Sequence, residues 1–248
     1  MKHIICLFFL SVCSTWAQTA ICIGERFTLP STIMGGERTI DLYLPPSYND
    51  SSLTPTDYPV VYLLDAQTNF NYFTTLMEKL TQGIPNIPEM IVVGIESTER
   101  DNDFTTENDH FWKFVREELK PLVEGKYRCK DFRIVVGHSL GGLSVVDALI
   151  KHTDLFNAYI AHDPSLWWGE GYGIKLFEQS KGKDFQNRLL YITHTGYKIR
   201  HNGRSGHVAT FDKLKAMLTA NAFPNLQWKI SEYSKENHGT IQLIGNID

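Results

Sequence analysis

No long run of lysine or arginine occurs in this chain, and with a formal net charge of -4 there is no electrostatic reason to expect nucleic acid as a partner. No apolar stretch approaches the roughly 20 residues that a spanning helix requires; the run at residues 4–12 is too short. Stable membrane insertion is therefore not expected. Internal repeats, low-complexity tracts and an interdomain linker are also absent, which argues against solenoid or multidomain architecture. Metal-binding spacings are missing too. His194, His201 and His207 fit neither one helix face nor a strand pair, as a zinc site would require. The acidic stretch 99–103 lacks the spacing and terminal glutamate of a calcium loop. No metal or organic cofactor is implied.

Cysteine is scarce, with four in 248 residues. Cys6 and Cys13 fall in a segment that reads as an export signal: Lys2 as the basic start, residues 4–12 as the apolar centre, and Thr15 and Ala17 as small residues before Gln18. The expectation is a signal peptide over residues 1–17 and one domain over 18–248, with a periplasmic or secreted address. An oxidising compartment permits a disulfide between the remaining Cys22 and Cys129. Nothing in the sequence fixes their separation, so pairing stays open, as does the oligomeric state.

What the chain does contain is a series of short apolar runs. Hydrophobic residues make up 42% and charged residues 21%, as in ordinary soluble domains. Residues 25–30 and 39–44 read as a hairpin turning at Gly35-Gly36. Residues 59–64 and 90–95 are continuous apolar strands of the kind covered on both faces. Residues 133–136, 156–161, 189–193 and 226–230 complete the set. Helices are expected near 72–80, at the 3.6 spacing of Phe111, Phe114, Val115, Leu119 and Leu122, from Leu140 to Leu149, and near 208–218. Segments 96–108 and 65–67 read as loops. Strands alternating with helices from residue 59 onward imply parallel pairing with right-handed crossovers. The fold class is α/β: a mostly parallel sheet with antiparallel N-terminal strands and helices on both faces.

The organising stretch is Gly137-His138-Ser139-Leu140-Gly141, between an apolar strand and a helical pattern. That context is what a nucleophile elbow requires. The flanking glycines let the backbone crowd, Ser139 is pushed to the apex, and the Leu140 amide opens a helix as a free donor for an oxyanion.

Further patterns appear in order: Tyr43-Leu44-Pro45 with Tyr48; Val61 to Asp65; Ile91 to Ile95 followed by Arg100 and Asp103-Phe104-Thr105; Glu117 to Pro121 with Tyr127-Arg128; Pro164-Ser165-Leu166-Trp167-Trp168; and Asn237-His238-Gly239. Over roughly residues 38–245 the chain resembles the putative-esterase branch of the α/β-hydrolases, which includes siderophore esterases, feruloyl esterases, S-formylglutathione hydrolases and mycolyltransferases. The resemblance implies a serine nucleophile at Ser139 and a general base on the loop after the last strand, at His238. It implies a second oxyanion donor among the backbone amides after the third strand, at Ala66 or Gln67, with Asp65 shaping that turn.

The same resemblance implies a carboxylate soon after strand 189–193 to orient the imidazole. Residues 194–204 contain none, and Asp212 falls inside the following helix. Two substitutes are visible: Asp163, just past strand 156–161, where the family pattern generally has serine, and Glu236, two residues before His238. A Ser-His dyad without an acid is the third alternative. Asp163 is also a residue that ordinarily caps a turn before proline.

Trp167 and Trp168 are candidates for an acyl or aromatic pocket, or for a lid over the core edge. The loop 194–207, with Lys198, Arg200 and Arg204, is the most basic local segment, suited to an anionic or catecholate-bearing substrate or simply solvated. These readings converge on an exported serine hydrolase acting on a small-molecule carboxylic ester, a siderophore or a feruloyl or acetyl sugar. Acyl transfer on the same serine and a non-catalytic binding module are the alternatives.

Overall fold

Pairing in the sheet follows the order β1-β2-β4-β3-β5-β6-β7-β8. The computed structural model describes residues 19–106, 108–195 and 205–247. The export segment 1–17 and Lys198, Arg200, His201 and Arg204 of the basic loop lie outside the described residues.

Strands β1 (Glu25–Ser31) and β2 (Gly36–Tyr43) form the expected hairpin, and β2 runs antiparallel to β4 (Ile91–Ile95). From there β3 (Tyr58–Leu64), β5 (Cys129–His138), β6 (Ala158–His162), β7 (Arg188–His194) and β8 (Leu226–Glu232) are parallel, as are β3 and β4. The fully buried run of β3 splits by pleat. Val60, Tyr62 and Leu64 enter the larger apolar cluster with Phe111, Trp112, Leu143 and Phe177, whereas Val61 and Leu63 meet Phe70, Phe73 and Met77. A strand with no polar face is thus the consequence of helices on both sides.

Helix α1 (Ala66–Thr81) begins six residues before the sequence pattern marks it. Residues 66–71 carry little apolar periodicity, but Asp65 turns the chain in a left-handed conformation (φ 56°) and its carbonyl accepts from the amides of Thr68 and Asn69. The segment read as a loop at 96–108 holds a short helix, α2 (Arg100–Phe104). The 111–122 pattern becomes α3 (Asp109–Phe114) and α4 (Lys120–Lys126), joined by a π-helical turn at Val115–Leu119. Helix α5 (Leu140–Lys151) follows the elbow. Helix α6 (Trp168–Gln179) was not visible in the sequence, because residues 169–171 are left-handed and break its period. Helix α7 (Ser205–Thr219) is near its expected place, and α8 (Ile241–Gly245) is too short to give a pattern. Among the described residues no helix is long and apolar enough to cross a membrane. Cys22 and Cys129 are free thiols.

Two local features hold the sheet's C-terminal edge in register for the site. At the elbow, a Cβ built on Gly137 would lie 2.4 Å from the Gly141 carbonyl oxygen, so strand and helix cross with no room for a side chain. Below it, His162 at the end of β6 is buried between Thr193 Oγ1 (2.9 Å from Nδ1) and Asn246 Oδ1 (2.7 Å from Nε2), which ties α8 to β6 and β7. The Asn246 amide donates in turn to Tyr72 of α1 at 3.1 Å. Burial pushes the His162 ring down to about 4 from its ordinary 6.5, so it is neutral, donating through Nε2 and accepting at Nδ1.

Gly137→Ala is expected to destabilise the protein by about 3 kcal/mol or more, because the obstructing atoms are backbone; a urea midpoint equal to wild type would sink this account. Below pH 6.5 the unfolded chain takes up a proton at His162 that the folded chain refuses until about pH 4, so stability falls as pH drops through that window. His162→Gln should remove about 2 kcal/mol of the stability loss between pH 7.5 and 5, read from urea titrations at the two pH values. An identical pH slope in the two proteins would show that this ring is not the cause.

Candidate active site

Ser139 sits between β5 and α5 at φ 60° and ψ -117°, a conformation rarely adopted outside glycine. The strain persists because the surroundings over-determine it. The Ser139 amide donates to His162 carbonyl at 3.0 Å, and its carbonyl accepts from the amides of Leu143 and Ser165, both at 3.0 Å. Its backbone is thereby fixed while its hydroxyl faces a cleft of about 240 Å³.

Three side chains from distant parts of the chain meet there. His238 Nε2 is 2.9 Å from Ser139 Oγ, and His238 Nδ1 is 2.6 Å from Asp163 Oδ2. The imidazole therefore bridges hydroxyl and carboxylate through its two different nitrogens, the arrangement in which one nitrogen accepts a proton while the other is held as a donor. His138 fixes the His238 backbone. Its Nε2 lies 2.6 Å from the His238 carbonyl oxygen, and the two rings are 4.5 Å apart. Burial, followed by the neighbouring His238, lowers the His138 ring to about 4, so it is a neutral donor to that carbonyl.

Asp163 is 1% exposed and adopts φ 42° just beyond β6. Its amide donates to Thr193 carbonyl at 2.7 Å, which pins the end of β6 to the end of β7. Oδ1 accepts from the Thr195 amide at 3.1 Å and from His207 Nε2 at 3.0 Å; Oδ2 accepts from Thr195 Oγ1 at 3.2 Å beside its bond to His238. Burial alone would favour the protonated acid. The hydrogen bonds from His207 and His238, with the Thr195 amide, overcome it and hold the carboxyl well below its usual range. The group is an ionised, saturated acceptor.

Glu236, the other acid raised by the sequence, turns away. Its Oε2 accepts from Thr240 Oγ1 at 2.7 Å, closing the loop on itself, while His238 Nδ1 is taken by Asp163. Trp167 and Trp168 both line the cleft, with Trp167 42% exposed. Leu140 lines it as well, and its amide is at the first position of α5, where no intrahelical acceptor exists. Ala66 and Gln67 open α1 in the same way, beside the elbow, since Asp65 Oδ2 would lie 3.2 Å from a Cβ on Gly141. The Gln67 side chain is engaged with Ser97, donating to its carbonyl at 3.0 Å and accepting its amide at 3.3 Å, and neither Ala66 nor Gln67 is among the residues that line the cleft.

Several participants escaped the sequence reading. Arg100, from α2, forms a two-pronged pair with Asp65 (Nε–Oδ1 2.7 Å, Nη2–Oδ2 3.0 Å) and lines the cleft. Its signal was present as part of the motif after β4, but its partner was not. Ser165 Oγ stands 3.4 Å from Ser139 Oγ. Thr195 and His207 were in view only as members of a basic loop or as a rejected zinc site. Of that zinc set, His207 binds Asp163 and His194 stacks on Phe211 at 4.6 Å.

Known proteins similar to this chain agree with this architecture. The "Putative esterase" family pattern matches residues 31–213. The ferri-bacillibactin esterase BesA of Bacillus subtilis (strain 168) is 30% identical, with 88% of each chain covered. The crystal structure of an IroE-like serine hydrolase from Shewanella oneidensis superposes with a TM-score of 0.82 at 29% identity, covering 91% of this chain and 78% of that one. The siderophore hydrolase EstB from Aspergillus nidulans shares the fold, with a TM-score of 0.78 at 22% identity over 93% of each chain. Sequence pattern, whole-length relatives and the eight-stranded fold converge on one assignment: the chain belongs to that esterase family and is a carboxylic-ester hydrolase.

Proposed function

We propose that the protein hydrolyses its ester through an acyl-enzyme on Ser139, with His238 as general base and acid and Asp163 as the acid of the triad. The observation that carries this is the continuous path Ser139 Oγ–His238 Nε2 (2.9 Å) and His238 Nδ1–Asp163 Oδ2 (2.6 Å). A serine hydroxyl is a weak nucleophile until a base takes its proton during attack. His238 Nε2 accepts that proton as Ser139 Oγ bonds to the ester carbonyl carbon. The resulting imidazolium is stabilised by the ionised Asp163, and the carbonyl oxygen, now an oxyanion, is received by the amide of Leu140 with that of Ala66 or Gln67. Return of the proton to the leaving alkoxide releases the alcohol. Water then repeats the cycle on the acyl group, with His238 again as base.

The proposed substrate is a catecholate siderophore ester. The serine-side cleft, at about 240 Å³, is smaller than the roughly 300 Å³ at which pockets enclose drug-sized ligands, so it takes one acyl arm and leaves the bulk of a large ester outside. Around that arm stand the indoles of Trp167 and Trp168, suited to an aromatic ring, beside the Arg100 guanidinium, which is itself paired with Asp65. The relatives named above that are siderophore hydrolases support the same class. Export is part of the proposal and rests on the sequence of residues 1–17, with cleavage before Gln18.

Wild-type protein should give a burst of p-nitrophenol from p-nitrophenyl butyrate, and Ser139→Ala should give none; a burst in that variant would remove Ser139 from the mechanism. Asp163→Ala should lower kcat by about 10³–10⁴-fold, as expected when the imidazole loses its orienting carboxylate, while Glu236→Ala stays near wild type. A catechol triester lactone should show a higher kcat/KM than a feruloyl sugar, and the reverse order would overturn the substrate assignment. Product analysis with an added alcohol acceptor separates hydrolysis from acyl transfer.

A further inference from the structure

We propose that His207 is a positioning residue for the Asp163–His238 pair, a second imidazole on the carboxylate that holds Oδ1 so that Oδ2 is aimed at His238. This deepens the acyl-enzyme reading and rests on it. His207 comes from α7, the element following the β7 end where sequence likeness leads one to expect the acid itself. In this chain the acid stands one strand over, at the end of β6, and the residue that reaches it from the α7 side is a donor instead.

His207 Nε2 is 3.0 Å from Asp163 Oδ1, and its side chain is 13% exposed. Because Asp163 is ionised, Nε2 must carry the proton and donate. The only other donor to Oδ1 among the described residues is the Thr195 amide at 3.1 Å. Oδ2 receives Thr195 Oγ1 at 3.2 Å and His238 at 2.6 Å. Thr195 thus grips both oxygens from one side, and His207 prevents the carboxylate from rotating about its own axis toward the other. The His207 ring is itself held edge-on against Phe211, centroids 4.9 Å apart. Phe211 also carries the stacked ring of His194.

The charged and titratable groups around His207 set the expected pH behaviour. Asp163 faces it from β6, His194 from the end of β7, His238 across the carboxylate, and Glu232 of β8 approaches His194 at 4.0 Å. A donor to a carboxylate lowers its basicity. Removing His207 therefore leaves Asp163 more basic, which stabilises the protonated form of His238 in the resting enzyme. At the same time the carboxylate loses its fixed orientation, so the transition state is served less well. Both effects belong to positioning; a purely structural role for His207 in packing α7 moves neither.

The experiment is steady-state hydrolysis of p-nitrophenyl butyrate between pH 5 and 8 by the full mature chain, comparing wild type with His207→Phe, His207→Gln and Ser139→Ala. Phenylalanine keeps the ring contact with Phe211 and removes the donor; glutamine places an amide near the position of Nε2. Loss of a charge-assisted hydrogen bond should lower kcat in His207→Phe by about 10- to 100-fold with little change in KM. The acid limb of its kcat/KM profile should move up by about 0.5–1 pH unit, and His207→Gln should recover most of both. A folded His207→Phe with the wild-type kcat and acid limb, beside an inactive Ser139→Ala, overturns this inference alone. So does a His207→Gln as impaired as the phenylalanine variant. Activity retained by Ser139→Ala overturns the acyl-enzyme reading and this inference with it.

Discussion

A carboxylate kept ionised with 1% of its surface exposed is the constraint on which the site depends. An unpaired charge at such a depth costs several kcal/mol, so Asp163 exists in this form only because donors from separate elements converge on it. His238 arrives on the loop after β8, Thr195 from the end of β7, and His207 from α7. The requirement is mutual. The loop bearing His238 follows β8 with only a short helix behind it, and its ring is fixed at one edge by the carboxylate, while its main chain is fixed by His138. The carboxylate thus organises the elements around it, and its own φ of 42° is tolerated for the same reason.

Beneath this pair lies a second layer of neutral polar contacts. His162 belongs to β6, one residue before Asp163, and it joins α8, β7 and α1 through Asn246, Thr193 and Tyr72. The Ser139 amide uses the carbonyl of the same His162. Ser139 and Asp163 therefore hang from adjacent positions of neighbouring strands, β5 and β6, whose register pairs His138 with His162. The strand ends are held by main-chain bonds and the side chains inherit that rigidity, which is how a fold fixes reacting groups to within a fraction of an ångström.

Much of this was legible in the sequence, and the parts that were not share a physical cause. The buried strands, the hairpin, the elbow and the helix after it are encoded by local periodicity and by glycine at positions where backbone meets backbone, so a single chain segment carries the whole signal. The juxtaposition of Ser139 and His238 was legible from chain order. Asp163 was visible only as one of three alternatives, because what distinguishes it from Glu236 is distance to the far nitrogen of a ring 75 residues away, which no local pattern records. The missed elements are of two kinds. Residues 169–171 adopt left-handed angles that disrupt the period of α6, and α2 and α8 span five residues each, shorter than any periodicity needs to show itself. Thr195 and His207 were missed because they act on a side chain rather than on a motif.

A carboxylate at the end of β6 meets the same chemical demand as one on the β7 side. An imidazole needs an acceptor near Nδ1, in its plane, on the side away from serine; it has no requirement for which strand supplies it. Adjacent parallel strands are about 4.8 Å apart, less than the reach of an aspartate side chain plus one hydrogen bond, and here the ends of β6 and β7 are joined directly by the Asp163 amide and the Thr193 carbonyl. From either strand end a carboxylate can occupy nearly the same point in space. A carboxylate at β6 does need its far flank filled, since a buried oxygen facing an empty flank would lack donors. In this chain the flank is filled by the Thr195 amide and hydroxyl and by His207. The absence of a carboxylate from residues 194–204 and the presence of a histidine at 207 are therefore complementary: the β7 side supplies not the charge but the donors that make the charge at β6 tolerable.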